Sequence, residues 1–147
     1  MHKSAKIIMA EDDEGHASLI EKSLKKAGIK KEIIHFRDGQ SLLDYLYTCK
    51  NEIAKNKISP LLLLDIRMPQ VNGLEVMKII KHDEILQNMQ IIVITTTDDP
   101  FEIIKCYKYG CNIYITKPIV YEKFQKTFYN LGRYLLNMRS PYLNTTK

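Results

Sequence analysis

Short, wholly apolar runs alternate along this chain with longer stretches in which apolar residues recur every three or four positions. Lys6–Ala10, Glu32–Phe36, Leu61–Asp65, Ile91–Thr95 and Asn112–Thr116 have strand length and aliphatic content. Leu61–Leu64 is apolar at every position, as a strand covered on both faces should be. Between the strands the period changes to that of a helix, predicting helices over Gly15–Ala27, Gln40–Cys49, Leu74–His82, Pro100–Tyr109 and Val120–Met138. Ala17, Ile20, Leu24 and Ala27 share one face of the first, and Gly28 supplies its stop. Leu42, Leu43, Leu46 and Tyr47 share a face of the second. Lys50–Pro60 is polar and basic and reads as a lengthened loop or a frayed helix end. Five strand–helix units predict an α/β fold with parallel strands, right-handed crossovers and three layers. The pattern alone does not fix the strand order.

In a parallel α/β sheet the carboxyl ends of the strands open on one crevice. Four of the five apolar runs end on groups with chemistry: Glu11-Asp12, Asp65, Thr95-Thr96 and Lys117-Pro118. Three carboxylates in close quarters repel one another unless a cation neutralises them. An all-oxygen set without His or Cys favours Mg²⁺ or Mn²⁺ over zinc. Asp13 and Glu14 fit the start of the first helix, where a carboxylate caps free N–H groups. Lys117 can reach a carboxylate or a phosphoryl oxygen, and Thr95 and Thr96 offer a hydroxyl and backbone N–H groups. A hard-cation site beside an anion site describes phosphoryl transfer. Lys117-Pro118 is also a candidate cis peptide, since an X–Pro bond in a tight turn tolerates that form.

Composition narrows the picture only a little. The 147 residues suit one domain, with an ordinary 45% hydrophobic and 27% charged content. The net charge of +5 comes from scattered lysines rather than a basic recognition helix, so nucleic acid is not an expected partner. The aliphatic runs are far too short to span a membrane, and the unbroken apolar run before Glu11 is only four residues, too few for a secretory signal. Cys49, Cys106 and Cys111 are odd in number and lack C-x-x-C spacing, which points to reduced thiols and a cytoplasmic location.

In order and spacing these landmarks resemble a response-regulator receiver domain, the phosphoacceptor half of two-component signalling. The resemblance rests on the pair Glu11-Asp12, on Asp65 within Leu-Asp-Ile-Arg-Met-Pro, on Thr95, and on Lys117 within Thr-Lys-Pro. Tyr114, three residues before the lysine, matches the family's aromatic switch position. The resemblance covers about residues 5–138 and leaves a polar tail over 139–147, so that 1–147 reads as a single receiver domain. It implies a flavodoxin-like three-layer sandwich, with a doubly wound five-stranded parallel sheet in the order 2-1-3-4-5 flanked by five helices. It further implies phosphorylation of Asp65 by a histidine kinase or phosphotransfer protein. Mg²⁺ would be held by Glu11, Asp12, Asp65 and the backbone carbonyl of Arg67. Thr95, Thr96 and Lys117 would hold phosphoryl oxygens, and Thr95 and Tyr114 would relay the phosphorylation state. The spacing from Asp12 to Asp65 is longer than in the chemotaxis response regulator. Together with Thr95-Thr96 it resembles the small stand-alone regulators paired with phytochromes, which makes a phytochrome-type histidine kinase an expected partner. The Arg67 side chain could pair with the phosphoryl group or with Glu11, or extend into solvent.

Other classes fit less well. A Mg²⁺-dependent phosphatase with an aspartate nucleophile would want a second acid two residues later, where Arg67 stands. A nucleotide-binding flavodoxin-like protein would want a Gly-rich loop after the first strand, where Glu11–Glu14 stand. A receiver without an output domain must signal through its own surface. In the last helix the stripe Val120, Tyr121, Phe124, Phe128, Leu131, Leu135 and Met138 is expected to face the sheet, leaving Tyr129 and Leu136 as a second apolar patch. With Tyr107, Tyr109 and Tyr114 they predict a homodimer or partner face on the fourth helix, fifth strand and last helix.

Overall fold

The computed structural model describes residues 6–138; the first five residues and the expected tail 139–147 lie outside them. Strands β1 (Ile7–Ala10), β2 (Ile33–Phe36), β3 (Leu61–Leu64), β4 (Gln90–Thr95) and β5 (Ile113–Thr116) alternate with five helices. These are α1 (Glu14–Ala27), α2 (Gly39–Asn56), α3 (Gly73–Lys81), α4 (Pro100–Lys108) and α5 (Tyr121–Asn137). The strands form one parallel sheet in the order β2-β1-β3-β4-β5. This is the expected flavodoxin-like sandwich.

The pleat explains why the central strands are apolar throughout. Ile7 and Met9, Leu61 and Leu63, and Ile92 and Ile94 pack under α1 and α5 with Ile20, Leu24, Phe128 and Leu131. Their alternates, Ile8 and Ala10, Leu62 and Leu64, and Ile91 and Val93, pack under α2, α3 and α4. Successive side chains serve opposite cores, so neither parity can be polar. On the first side α1 and α5 approach closely: a Cβ on Gly132 would lie 2.7 Å from the Ala27 Cβ. Gly28, at φ 114°, ends α1 with its N–H bonded to the Lys25 carbonyl, a left-handed cap that a side chain would strain.

Three expectations are corrected. Helix α2 does not stop at Cys49 but runs to Asn56, so of the segment read as a lengthened loop or a frayed helix end only 57–60 lies outside the helix. Ile53 tucks its side chain into the core, and Lys57, at φ 59°, closes the helix with its N–H on the Ile53 carbonyl. In α5 the stripe that faces the sheet is Phe124, Phe128, Leu131 and Leu135; Val120 and Tyr121 stand outside the core, 50% and 57% exposed. Val120 is the N-cap and Tyr121 the first residue of the helix, so both stand at its open end. The peptide between Lys117 and Pro118 is trans, as are all bonds among the described residues.

Candidate functional site: a carboxylate and lysine cluster at the strand ends

The ladder carries backbone pairing up to the site. The Glu11 N–H bonds the Phe36 carbonyl, the Asp65 N–H bonds the Ala10 carbonyl at 2.9 Å, and the Lys117 N–H bonds the Thr95 carbonyl at 2.6 Å. These bonds set Glu11, Asp65 and Lys117 just past the sheet, beside Thr95 at the end of β4. All four are buried, with Glu11 and Thr95 fully inaccessible.

Lys117 is the centre of the cluster. Its ammonium donates to Glu11 Oε1 at 2.5 Å, lies 3.2 Å from His16 Nδ1, and sits 3.6 Å from Asp65 Oδ2. Its nearest acid is thus Glu11 rather than the strand-end aspartate. The other Glu11 oxygen, Oε2, accepts from the Asp13 N–H at 3.1 Å. Asp13 in turn caps α1 by accepting from the His16 N–H, and this lowers its carboxyl pKa. Sequence patterning did not single out His16. One turn into α1 it looks like any half-exposed position, and only the tertiary fold brings its ring between Lys117 and Phe124.

Asp65 is raised from the ordinary aspartate value to about 7. Burial is the main cause and the Glu11 carboxylate adds to it, while Lys117 and the Arg67 N–H oppose it. One ammonium therefore does not neutralise the cluster. Carboxylate oxygens of Glu11, Asp12 and Asp65 come within 4.8 Å of one another, with Asp12 on the exposed side. An all-oxygen set that is short of positive charge and open on one side fits a hard divalent cation. Thr95 contributes a different signal: its Oγ1 is buried without a hydrogen-bond partner among the described residues. Burying a hydroxyl unpaired is costly unless some bound group takes the bond. Thr96 is exposed at the rim.

The remaining candidates scatter. The Arg67 side chain extends toward solvent, one of its expected courses, rather than to Glu11, and its guanidinium lies 3.6 Å from Glu102 Oε2 on α4. Tyr114 is half-buried, its hydroxyl donating to the Thr97 carbonyl at 2.7 Å and facing Glu102 Oε1 at 3.3 Å. Burial and the Glu102 carboxylate push its phenol well above the ordinary value. Glu102 was not foreseen, because a carboxylate in the first turn of a helix is sufficiently explained by the helix dipole. Tyr107 accepts the Tyr114 N–H at its hydroxyl, closing the free edge of β5. Tyr109 faces the other way, beneath the Lys78 ammonium. Tyr129 lines a groove of 1010 Å³ between α5 and α1, and Leu136 packs into the α1–α5 core against Gly28. Those two residues are therefore not part of a face on α4 and β5.

Comparison with known proteins agrees with this geometry. The response regulator receiver domain family matches residues 7–129. A probable methanogenesis regulatory protein, FilR2, of Methanothrix harundinacea is 33% identical over 92% of this chain and 86% of its own length. A response regulator receiver domain from Rhodospirillum rubrum superposes with a TM-score of 0.87 at 39% identity, covering 95% of this chain and 99% of that one. The phosphorylated cyanobacterial phytochrome response regulator RcpA superposes with a TM-score of 0.81 at 28% identity, covering 94% and 98%. The chain belongs to the response-regulator receiver-domain family, the phosphoacceptors of two-component signalling.

Proposed function

We propose that this chain accepts a phosphoryl group on Asp65 from a histidine kinase or phosphotransfer protein and signals through the change this makes in its surface. The observation that carries the reading is the juxtaposition of a buried, hydrogen-bonded aspartate, a buried lysine and an unpaired buried threonine hydroxyl at neighbouring strand ends. In the transfer an Asp65 carboxylate oxygen attacks the phosphorus of phosphohistidine. The phosphorus–nitrogen bond breaks, its electron pair returns to the imidazole, and an aspartyl phosphate remains. Such a step needs alignment and charge neutralisation more than covalent assistance. Lys117 moves from carboxylate to phosphoryl oxygen, Thr95 Oγ1 donates its free proton, and the Thr96 N–H supplies a further bond. Glu11, Asp12, Asp65 and the Arg67 carbonyl would hold Mg²⁺ or Mn²⁺, which supplies the positive charge that Lys117 alone does not.

The chain acts as one receiver unit in the cytoplasm, and a phytochrome-type kinase is the favoured donor, given the likeness to RcpA. Among the described residues no helix is long and apolar enough to cross a membrane. Output, including a homodimer, uses α4 and β5, where Phe101, Ile104 and Tyr107 are exposed. Thr95 and Tyr114 relay the state of Asp65 to that face. Incubation with acetyl phosphate and Mg²⁺ tests the reading. Stoichiometric, metal-dependent label that is lost in Asp65→Asn supports it, whereas multiple turnover on phosphate esters would identify a phosphatase instead.

A further inference from the structure

The Arg67–Glu102–Tyr114 contact joins three elements and has no part in the chemistry described above. Arg67 stands two residues after Asp65, and its backbone N–H already reaches Asp65 Oδ1 at 3.3 Å. Its guanidinium lies far out, 66% exposed, yet pairs with a Glu102 side chain that is only 16% exposed. Glu102 uses one carboxylate oxygen for Arg67 and turns the other to the Tyr114 hydroxyl. That hydroxyl also holds the carbonyl of Thr97, two residues past Thr95. One carboxylate thus touches the loop after β3, the first turn of α4 and the side chain of β5.

We propose that Glu102 is a positioning residue that couples the acceptor loop to Tyr114, and that an anionic group on Asp65 competes with Glu102 for Arg67. The inference rests on the reading of Asp65 as phosphoacceptor. A phosphoryl group carries more negative charge than a carboxylate and offers three oxygens, which suits the guanidinium fork. The arginine end of the pair stands in solvent, so the guanidinium is free to exchange one anionic partner for another. When Arg67 leaves, Glu102 keeps its desolvated carboxylate beside Tyr114 without its cation, and the hydroxyl contact and the first turn of α4 must readjust. The coupling is reciprocal: the factor by which the Arg67–Glu102 pair weakens the hold on the phosphoryl group is the factor by which the phosphoryl group weakens that pair.

The test uses beryllofluoride, a phosphoryl mimic, with Mg²⁺ and the full chain labelled with 3-fluorotyrosine, the Tyr114 resonance being assigned through Tyr114→Phe. Glu102→Gln, which keeps shape and removes charge, is expected to bind beryllofluoride at least threefold more tightly than wild type. That gain is expected to vanish in an Arg67→Ala background. Unchanged affinity in Glu102→Gln, or a gain that persists without Arg67, would overturn the inference. Arg67→Gln is a second arm at an exposed position: it should shift the Tyr114 resonance before any ligand is added, and a stationary resonance would also overturn it. A wild type that neither binds beryllofluoride nor takes label from acetyl phosphate fails at the acceptor reading itself. That result differs from a wild type that binds normally while the Glu102 and Arg67 variants behave like it.

Discussion

Asp65 carries a proton far more readily than an exposed aspartate, because it is buried and shares its surroundings with the Glu11 carboxylate. The consequence for stability has a definite sign. Its folded-state pKa of about 7 lies above the ordinary 3.8, so between those values the folded chain holds a proton that the unfolded chain has released. Stability without divalent cation therefore falls as pH rises from about 4 to about 7, and the deficit is complete above that. Asp65→Asn removes the titration. In urea melts at pH 8 with chelator it should be more stable than wild type by about 1–3 kcal/mol, with the difference gone near pH 3.5. Mg²⁺ should narrow the difference by stabilising wild type alone. Lys117 has the opposite standing. It is paired with a fully buried glutamate, and removing one partner of such a pair leaves an uncompensated charge. Lys117→Met is expected to lose about 3 kcal/mol at pH 7, and adding Glu11→Gln should restore more than half of it. If the double variant is no more stable than Lys117→Met, the pair is not the source of the loss.

At the scale of elements, what was legible in the chain was what burial dictates. Leu61–Leu64 and Ile91–Ile94 could only be strands with a core on each side, and they are. The polar residues ending those runs gave the site for the same reason, since a charged group following a buried strand must lie at the sheet's rim. The extension of α2 was illegible because between Lys50 and Asn56 only Ile53 enters the core, and one apolar residue defines no period. Its support is tertiary: Lys50 pairs with Asp83 at 2.6 Å, beyond β3 in sequence. In α5, Val120 and Tyr121 matched the stripe by number but precede or open the helix, and Leu136, expected in a second apolar patch, fills the space above Gly28. His16 and Glu102 were missed because each makes local sense on its own helix. A close approach governs α3, which starts so near the loop after β3 that a Cβ on Gly73 would lie 2.6 Å from the Asp65 carbonyl oxygen. Backbone cannot yield there as a side chain can. Gly73→Ala is expected to lower stability by about 1–3 kcal/mol and to slow labelling of Asp65 by acetyl phosphate. Wild-type values for both would show that the loop has slack.

Across the whole molecule, the sheet brings Asp65, the acidic cluster and the Tyr114 contact together, and α4 beside them carries two strongly exposed apolar residues. Phe101 is 81% exposed and Ile104 65%, both on α4, whose first turn also carries Glu102. Isolated apolar side chains on a surface are ordinary, but two on successive turns of one helix are candidates for a contact. Phe101→Asp combined with Ile104→Lys should abolish beryllofluoride-dependent self-association in sedimentation velocity while leaving beryllofluoride binding intact. Equal association by the variant would move the output face elsewhere.

The central claim is that Asp65 receives the phosphoryl group, and a chemical mark tests it most directly. Borohydride converts an aspartyl phosphate to homoserine, so the chain is incubated with acetyl phosphate and Mg²⁺, reduced, digested and read by tandem mass spectrometry. Homoserine at position 65 alone, absent when Mg²⁺ is chelated, is the predicted result. Homoserine at Asp12 or Asp13 with Asp65 unmodified would contradict the account.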